Sequence, residues 1–327
     1  MAATCVTLLF VATVGVAALC LPGAGITAAE AFRALIGADD GFAATVVMNW
    51  RAPRATAAIV AGAALGVAGL LFQTLTRNPL GSPDIIGFNT GAYTGVLVAL
   101  LAGASGFGAT AVGAFVGGCA TAAVVAALSA GRGVDGKGHF GGTRLILVGL
   151  GTSMMLAAFN RWLILRGDMN TALSAASWGA GTLNGLRWEQ TAPACAALLV
   201  LLVVAAPLGR GADLLRFGDD AAGSLGLSVP RTKALLLAAG AALTAVSTAI
   251  VGPISFVALA APHVAARITR SPAPPLAASA VTGALLLLVA DVLAQRLFHP
   301  VQLPAGLVTV TIGGAYLLFV LSGRGAR

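Results

Sequence analysis

The chain has 327 residues, of which 58% are hydrophobic and 9% charged, and its mean hydropathy is +0.95. Soluble domains carry about 25% charged residues, so this composition excludes a water-soluble globule and places the chain in a membrane. The net charge of +8 comes from 19 Lys and Arg against 11 Asp and Glu. It is read as a topology signal, because no basic run interleaved with aromatics points to nucleic acid.

Apolar runs of ~20 residues, the length of a helical span, recur along the chain, and the ~10-residue alternation of a membrane barrel is absent. The first run, 4–22, has no Lys or Arg before it and reads as a retained span rather than a signal peptide. A short surface helix is expected at 27–36. Arg51-Ala-Pro-Arg54 opens span 2 (54–76), which ends at Arg77-Asn-Pro-Leu-Gly-Ser-Pro-Asp84, where two prolines and a glycine break the helix. Spans 3 to 5 follow at 86–103, 107–130 and 145–165, with a glycine-rich loop from Gly131 to Arg144 before the last. Residues 166–189 are less apolar, and Trp178 and Trp188 fit an interfacial belt or a partly inserted helix. Span 6 is expected at 191–209, span 7 at 232–250 and a short span 8 at 255–268 after the turn Gly252-Pro-Ile-Ser-Phe256. Spans 9 and 10 are expected at 276–297 and 305–322.

The resulting expectation is an all-α membrane protein of one domain, with about ten transmembrane helices in two inverted five-helix halves, 1–189 and 190–327. With both termini inside, twelve of the nineteen basic residues fall on inner loops, the bias of a cytoplasmic face. That orientation puts the polar stretch 213–233, with its acidic pair Asp219 and Asp220, in the cytoplasm. Its charges and irregular backbone would go unsatisfied in lipid.

Enzymatic signals are sparse. Gly131-Arg-Gly-Val-Asp-Gly-Lys137 fits two glycine-rich nucleotide patterns, but no strand precedes it, and Gly138 stands where a phosphate loop needs Ser or Thr. Nucleotide binding is therefore not expected of this chain. Cys5, Cys20, Cys119 and Cys195 show no metal or disulfide spacing, and His139, His263 and His299 are scattered. Asp291 lies within an apolar run, and a local cluster with Gln295 and Arg296 is favoured over a proton relay. Arg51, Arg54 and Arg296 share the outer side, either snorkelling to headgroups or forming a rim that registers an acidic partner protein.

Several stretches resemble the permeases of bacterial ABC importers for iron-siderophores and vitamin B12, the FecCD type. They are Arg51–Arg54, Arg77–Gly91, Gly218–Gly226, Gly252–His263 and Gln302–Gly314, in family order over nearly the whole chain. Within the family, Gly87–Gly91, Ala158–Trp162 and Leu183–Trp188 are most similar to a ferric-enterobactin permease subunit, one half of a heterodimer. Ala52 departs from the usual leucine of the first motif, and the loop 131–142 is long and glycine-rich.

The resemblance implies a type II ABC importer permease fold in the inner membrane. Its implied partners are a second permease subunit, two ATPase subunits inside, a substrate-binding protein outside and a ferric siderophore as cargo. ATP and Mg would be held by the ATPase, and no cofactor by this chain. Mapped by motif, Asp219, Asp220, Ala221, Ala222, Ser224, Leu225 and Gly226 would form the coupling helix. Arg51, Arg54 and Arg296 would dock the binding protein, and Asn78, Leu80 and Thr143 would lie at the cytoplasmic gate. The rival readings are an importer for cobalamin or haem, or an ion-coupled secondary transporter using Asp291. An intramembrane enzyme lacks a convergent catalytic set.

Overall fold

The computed structural model describes residues 2–321, apart from 85, 105, 133–137, 140, 141 and 299. The glycine-rich nucleotide-like stretch and His299 thus fall wholly or largely outside the described residues. Helix α1 (Ala2–Cys20) turns into α2 (Ala28–Leu35), which Thr27 and Glu30 close with a reciprocal capping box. Next, α3 (Phe42–Thr45), a π-turn (Val46–Arg51) and α4 (Ala52–Thr76) run on as one rod. Pro53 accounts for the π-turn. A proline ring collides with the carbonyl four residues back, and the wider turn relieves that collision, with Ala52 N–H bonding Val47 O instead.

After a non-helical stretch come α5 (Phe88–Leu101) and α6 (Phe107–Ser129). A two-residue antiparallel ladder pairs Gly131–Arg132 with Gly138–His139. Then follow α7 (Gly142–Arg166), α8 (Met169–Gly179), α9 (Trp188–Ala205), α10 (Leu208–Leu215) and α11 (Asp219–Ser224). The chain closes with α12 (Val229–Val251), α13 (Val257–Thr269), α14 (Leu276–Arg296) and α15 (Ala305–Leu321).

Among the described residues, six helices are long and apolar enough to cross a bilayer: the rod 42–76, α6, α7, α9, α12 and α14. Shorter apolar stretches in α1, α5, α13 and α15 fall on the runs read as spans 1, 3, 8 and 10. Two boundaries differ from expectation. Helix α5 begins at Phe88, because the break after α4 continues through Gly87 with its positive φ of 95°. Span 6 ends at Ala205, and α10 is a separate helix beyond Pro207.

Lipid tails give apolar helices no hydrophobic reason to associate, so close packing decides the arrangement. Helix α4 is the axis of that packing. The best apolar window of its rod is 78% buried, against 11% for α7. A Cβ at Gly62 or Gly66 would strike the α14 backbone at Gly283 or Ser279, and one at Gly69 would strike Ala258 of α13. The backbones therefore touch without intervening side chains. The same device joins α5 to α6 through Gly91, Gly95, Gly113 and Gly117.

Packing partners recur between the two ends of the sequence. Helix α4 packs on α14 while α12 packs on α6, and α5 on α6 is matched by α13 on α14. Both α4 and α12 are followed by a break and a short helix. Arg77 closes α4 in the left-handed region at φ 50°, its N–H bonded to Gln73 O and Thr74 O. Gly252, at φ 72°, closes α12, and Phe256, at φ 70°, opens α13.

Candidate functional site

The ionic contacts that bear on function gather at the two ends of α4. At the Arg54 end, Arg54 grips Asp291 of α14 with Nε at 2.9 and 3.1 Å and Nη2 at 2.8 Å. Nη1 donates to Gln302 Oε1 at 3.0 Å, and Gln295 Nε2 donates to Asp291 Oδ2 at 2.9 Å. The pair is removed from solvent, with side-chain exposures of 12% and 2%. A planar guanidinium fork matches a carboxylate in this way, and the second carboxylate bond from Gln295 completes its satisfaction.

Arg51 Nη1 and Nη2 donate to Leu19 O and Gly23 O at 2.9 Å each, and Nη1 also reaches Leu21 O. Arg296 Nη2 donates to Pro22 O. The three arginines named by sequence thus share one cavity of about 160 Å³, which Trp50, Gln295 and Gln302 also line. The expected cluster around Asp291 changes in composition. Gln295 joins it, but Arg296 turns to the chain after α1, and Arg54 takes the ionic role.

At the Arg77 end, a second carboxylate gathers cations. Asp219, the first residue of α11, accepts from Arg77 Nη2 at 2.6 Å and from Lys233 Nζ of α12 at 2.7 Å. One carboxylate thereby links the end of α4, the short helix α11 and the start of α12. The acidic pair splits in role. Gly218, not an aspartate side chain, stands at the N-cap of α11, whereas Asp220 is exposed. Ala222 packs fully inward; Ser224 and Gly226 are exposed, and Ala221 is half-buried. Helix α11 stops at Ser224, and Gly226 turns the chain at φ 87°. Leu225 and Phe217 stand 66% and 76% exposed, an apolar pair flanking the short helix. Phe217 escaped the sequence reading, although a lone aromatic at the head of a polar stretch was its available signal.

Beside this junction, Asn78 Oδ1 accepts from Leu80 N at 2.9 Å and holds the turn after α4. Leu80 is 47% exposed. Gly142 lies against the Thr76 backbone, which brings Thr143, exposed at the start of α7, next to that turn. Between the two ends, the broken segments meet. Asp84 accepts from Asn89 Nδ2 at 2.6 Å and from Phe256 N at 3.3 Å, while Thr248 donates to Asn89 Oδ1 at 3.0 Å. This polar link between the α4–α5 and α12–α13 breaks was not singled out from sequence, because Asp84 sits among prolines and glycines rather than in an apolar run. Trp178, half-buried on α8, stacks on Tyr93 of α5 with centroids 6.1 Å apart. Trp188 is 40% exposed and bonds Met48 O. Among the described residues, no group of three His, Cys, Asp or Glu side chains could hold a metal.

The model of the FecCD transport family matches residues 8–323. The chain belongs to the FecCD transport family. It is 48% identical over 292 residues to the ferric enterobactin transport system permease protein FepG of Escherichia coli, covering 89% of this chain and 87% of that one. It is 38% identical to the Fe(3+) dicitrate permease FecD of the same organism, covering 84% and 85%. With the hemin permease HmuU of Yersinia pestis it shares 32%, covering 84% and 82%. A metal-chelate type ABC transporter solved in an inward-facing conformation superposes with a TM-score of 0.84 at 24% identity, covering 98% of both chains. That likeness establishes the fold as the one such permeases use. This FecCD chain is accordingly a multi-pass membrane permease, and its two ionic junctions are features of a transport subunit.

Proposed function

We propose that this chain is one permease subunit of an ATP-driven importer that carries a ferric siderophore of the enterobactin type across the cytoplasmic membrane. The supporting geometry is the Arg77–Asp219–Lys233 junction, which binds an exposed short helix to two long helices. In this reading ten helices cross the membrane in two inverted halves, 1–189 and 190–327, with both termini and the segment 213–233 in the cytoplasm. Two ATPase subunits hold ATP and Mg, and one of them receives α11 through Phe217, Asp220 and Leu225. A second, non-identical permease subunit completes the path, drawing on the little-buried faces of α6, α7 and α9. A substrate-binding protein docks at the Arg54 end, over Arg51, Arg54 and Arg296.

ATP-driven closure of the ATPases displaces α11, and Asp219 transmits that displacement to Arg77. The adjoining turn at Asn78 and Leu80, with Thr143 beside it, then opens or closes the inner mouth. The iron crosses inside its chelator, so no metal ligands from this chain are required. Asp291 is engaged by Arg54 on both oxygens, which speaks against a proton relay at that residue and hence against an ion-driven carrier.

Reconstitution with the partner subunits and a panel of ferric siderophores tests the reading. Ferric enterobactin should stimulate ATP hydrolysis and enter only when the ATPase is competent. Uptake that survives loss of the ATPase but collapses with the proton gradient would overturn it. Stimulation by cobalamin or haem alone would retain the machine and replace the cargo.

A further inference from the structure

A second polar cavity lies at the Arg77 end, between the ends of α4 and α13. It encloses about 340 Å³, within the ~300–1,000 Å³ range of small-molecule sites. Its wall carries Arg77, Arg216 and His263 together with Gln73 and Asn78, and among the described residues no acidic one lines it. Pro79, Pro262, Pro272 and Pro274 form much of the remaining surface. Prolines offer no N–H and fix the backbone, so side chains must supply the donors, in a preformed shape.

Those donors are only partly occupied. Arg77 gives Nη2 to Asp219. Asn78 uses its oxygen on Leu80 N, which leaves its amide N–H₂ available. His263 Nδ1 faces Leu259 O at 2.8 Å; a carbonyl only accepts, so that nitrogen carries the hydrogen, and Nε2 adds an acceptor rather than a donor. Arg216 has the weakest compensation. Its Nη1 lies 3.6 Å from Asp213, beyond hydrogen-bond distance, and that carboxylate is 66% exposed. Two guanidinium forks and an imidazole thus converge on one cavity from three different elements, with their acidic neighbours outside it.

We propose that this cavity binds a phosphate-class oxyanion, held by the guanidinium groups of Arg216 and Arg77. The guanidinium fork suits phosphate oxygens. Basic pockets between membrane helices on the cytoplasmic side are sites for anionic headgroups. The oxyanion is either the headgroup phosphate of a membrane lipid or free phosphate, and its binding secures α4, α13 and the segment before α11 together. The inference is independent of the chelate carried.

The test uses the full-length chain purified in maltoside detergent without phosphate. Native mass spectrometry reads retained phospholipid, and thermal melting of the delipidated protein with inorganic phosphate reads the free anion. An anionic phospholipid retained by the unmodified chain identifies the headgroup; stabilisation by inorganic phosphate without retained lipid identifies the free anion. In either case Arg216→Gln and Arg216→Leu should each weaken the signal about tenfold, the worth of one charge-assisted hydrogen bond. Melting without ligand checks that each variant folds, and if one does not, the other decides. Absence of both signals, or signals in the folded variants equal to those of the unmodified chain, would overturn the proposal.

Discussion

At one end helix α4 is held through Arg54 to Asp291, and at the other through Arg77 to Asp219. Both contacts pair an arginine of α4 with a carboxylate far along the chain, but their surroundings differ. Asp291 is 2% exposed and is gripped on both oxygens by one guanidinium. Asp219 is 30% exposed, Arg77 is 48% exposed, and each carboxylate oxygen serves a different cation. A buried pair cannot be opened without stranding a charge, whereas a wet one can be exchanged for water at little cost. The Arg54 end is therefore a fixed clamp, and at the Arg77 end the Arg77–Asp219 contact is the exchangeable one, while Asp219 stays paired with Lys233, 9% exposed.

The largest expected effect falls on the clamp. Asp291→Ala should cost about 3–5 kcal/mol, because it leaves Arg54 buried and unpaired, and thermal unfolding of the purified chain would show it. Arg54→Leu combined with Asp291→Leu should recover most of that loss; if the double variant is no better than the single one, the clamp is not ionic in origin.

At the junction the expected pattern reverses. Arg77→Gln opens only the exposed contact and should leave folding stability within about 1 kcal/mol, yet reduce ATP-coupled uptake by roughly 5–150-fold, the range of a coupling free energy of 1–3 kcal/mol. Parallel uptake and ATPase assays separate the two, and a proportional fall in both would mean lost assembly rather than lost transmission. The smallest effect belongs to Asp220→Lys, which alters an exposed charge worth about 0.2–1 kcal/mol. It should weaken ATPase docking about fivefold at most, and more at low salt than at high salt. An Asp220→Lys defect equal to that of Arg77→Gln would erase the distinction between the exposed aspartate and the junction.

Much of this architecture was legible in the residues. Apolar runs of bilayer length, broken at Asn78-Pro79 and Gly252-Pro253, mark the long helices and both interruptions. Helix boundaries slipped where backbone conformation rather than composition decides them, as at Gly87 and Pro207. The partners of the buried charges were harder to read. Gln295 lies one turn from Asp291 and could be named, but Arg54 lies 237 residues away and leaves no local trace. Asp219 invited a capping role by its place at a helix start, yet its contacts are with Arg77, 142 residues earlier, and with Lys233. Motif likeness singled out the candidate segments, and only three-dimensional placement divided the aspartates within one of them.

The glycine seam along α4 has a mechanical consequence. A lever transmits a push only if it does not bend or slip on its mounting. Helices separated by layers of long side chains can yield by changing rotamers, but Gly62, Gly66 and Gly69 put backbone directly on backbone. With few rotamers at the glycine contacts to absorb displacement, a force applied beside Arg77 would tend to tilt α4, α13 and α14 together about the clamped Arg54 end. The displacement available at the Arg77 end is then set by the length of α4, 25 residues and ~37 Å at 1.5 Å per residue, rather than by the softness of its surroundings.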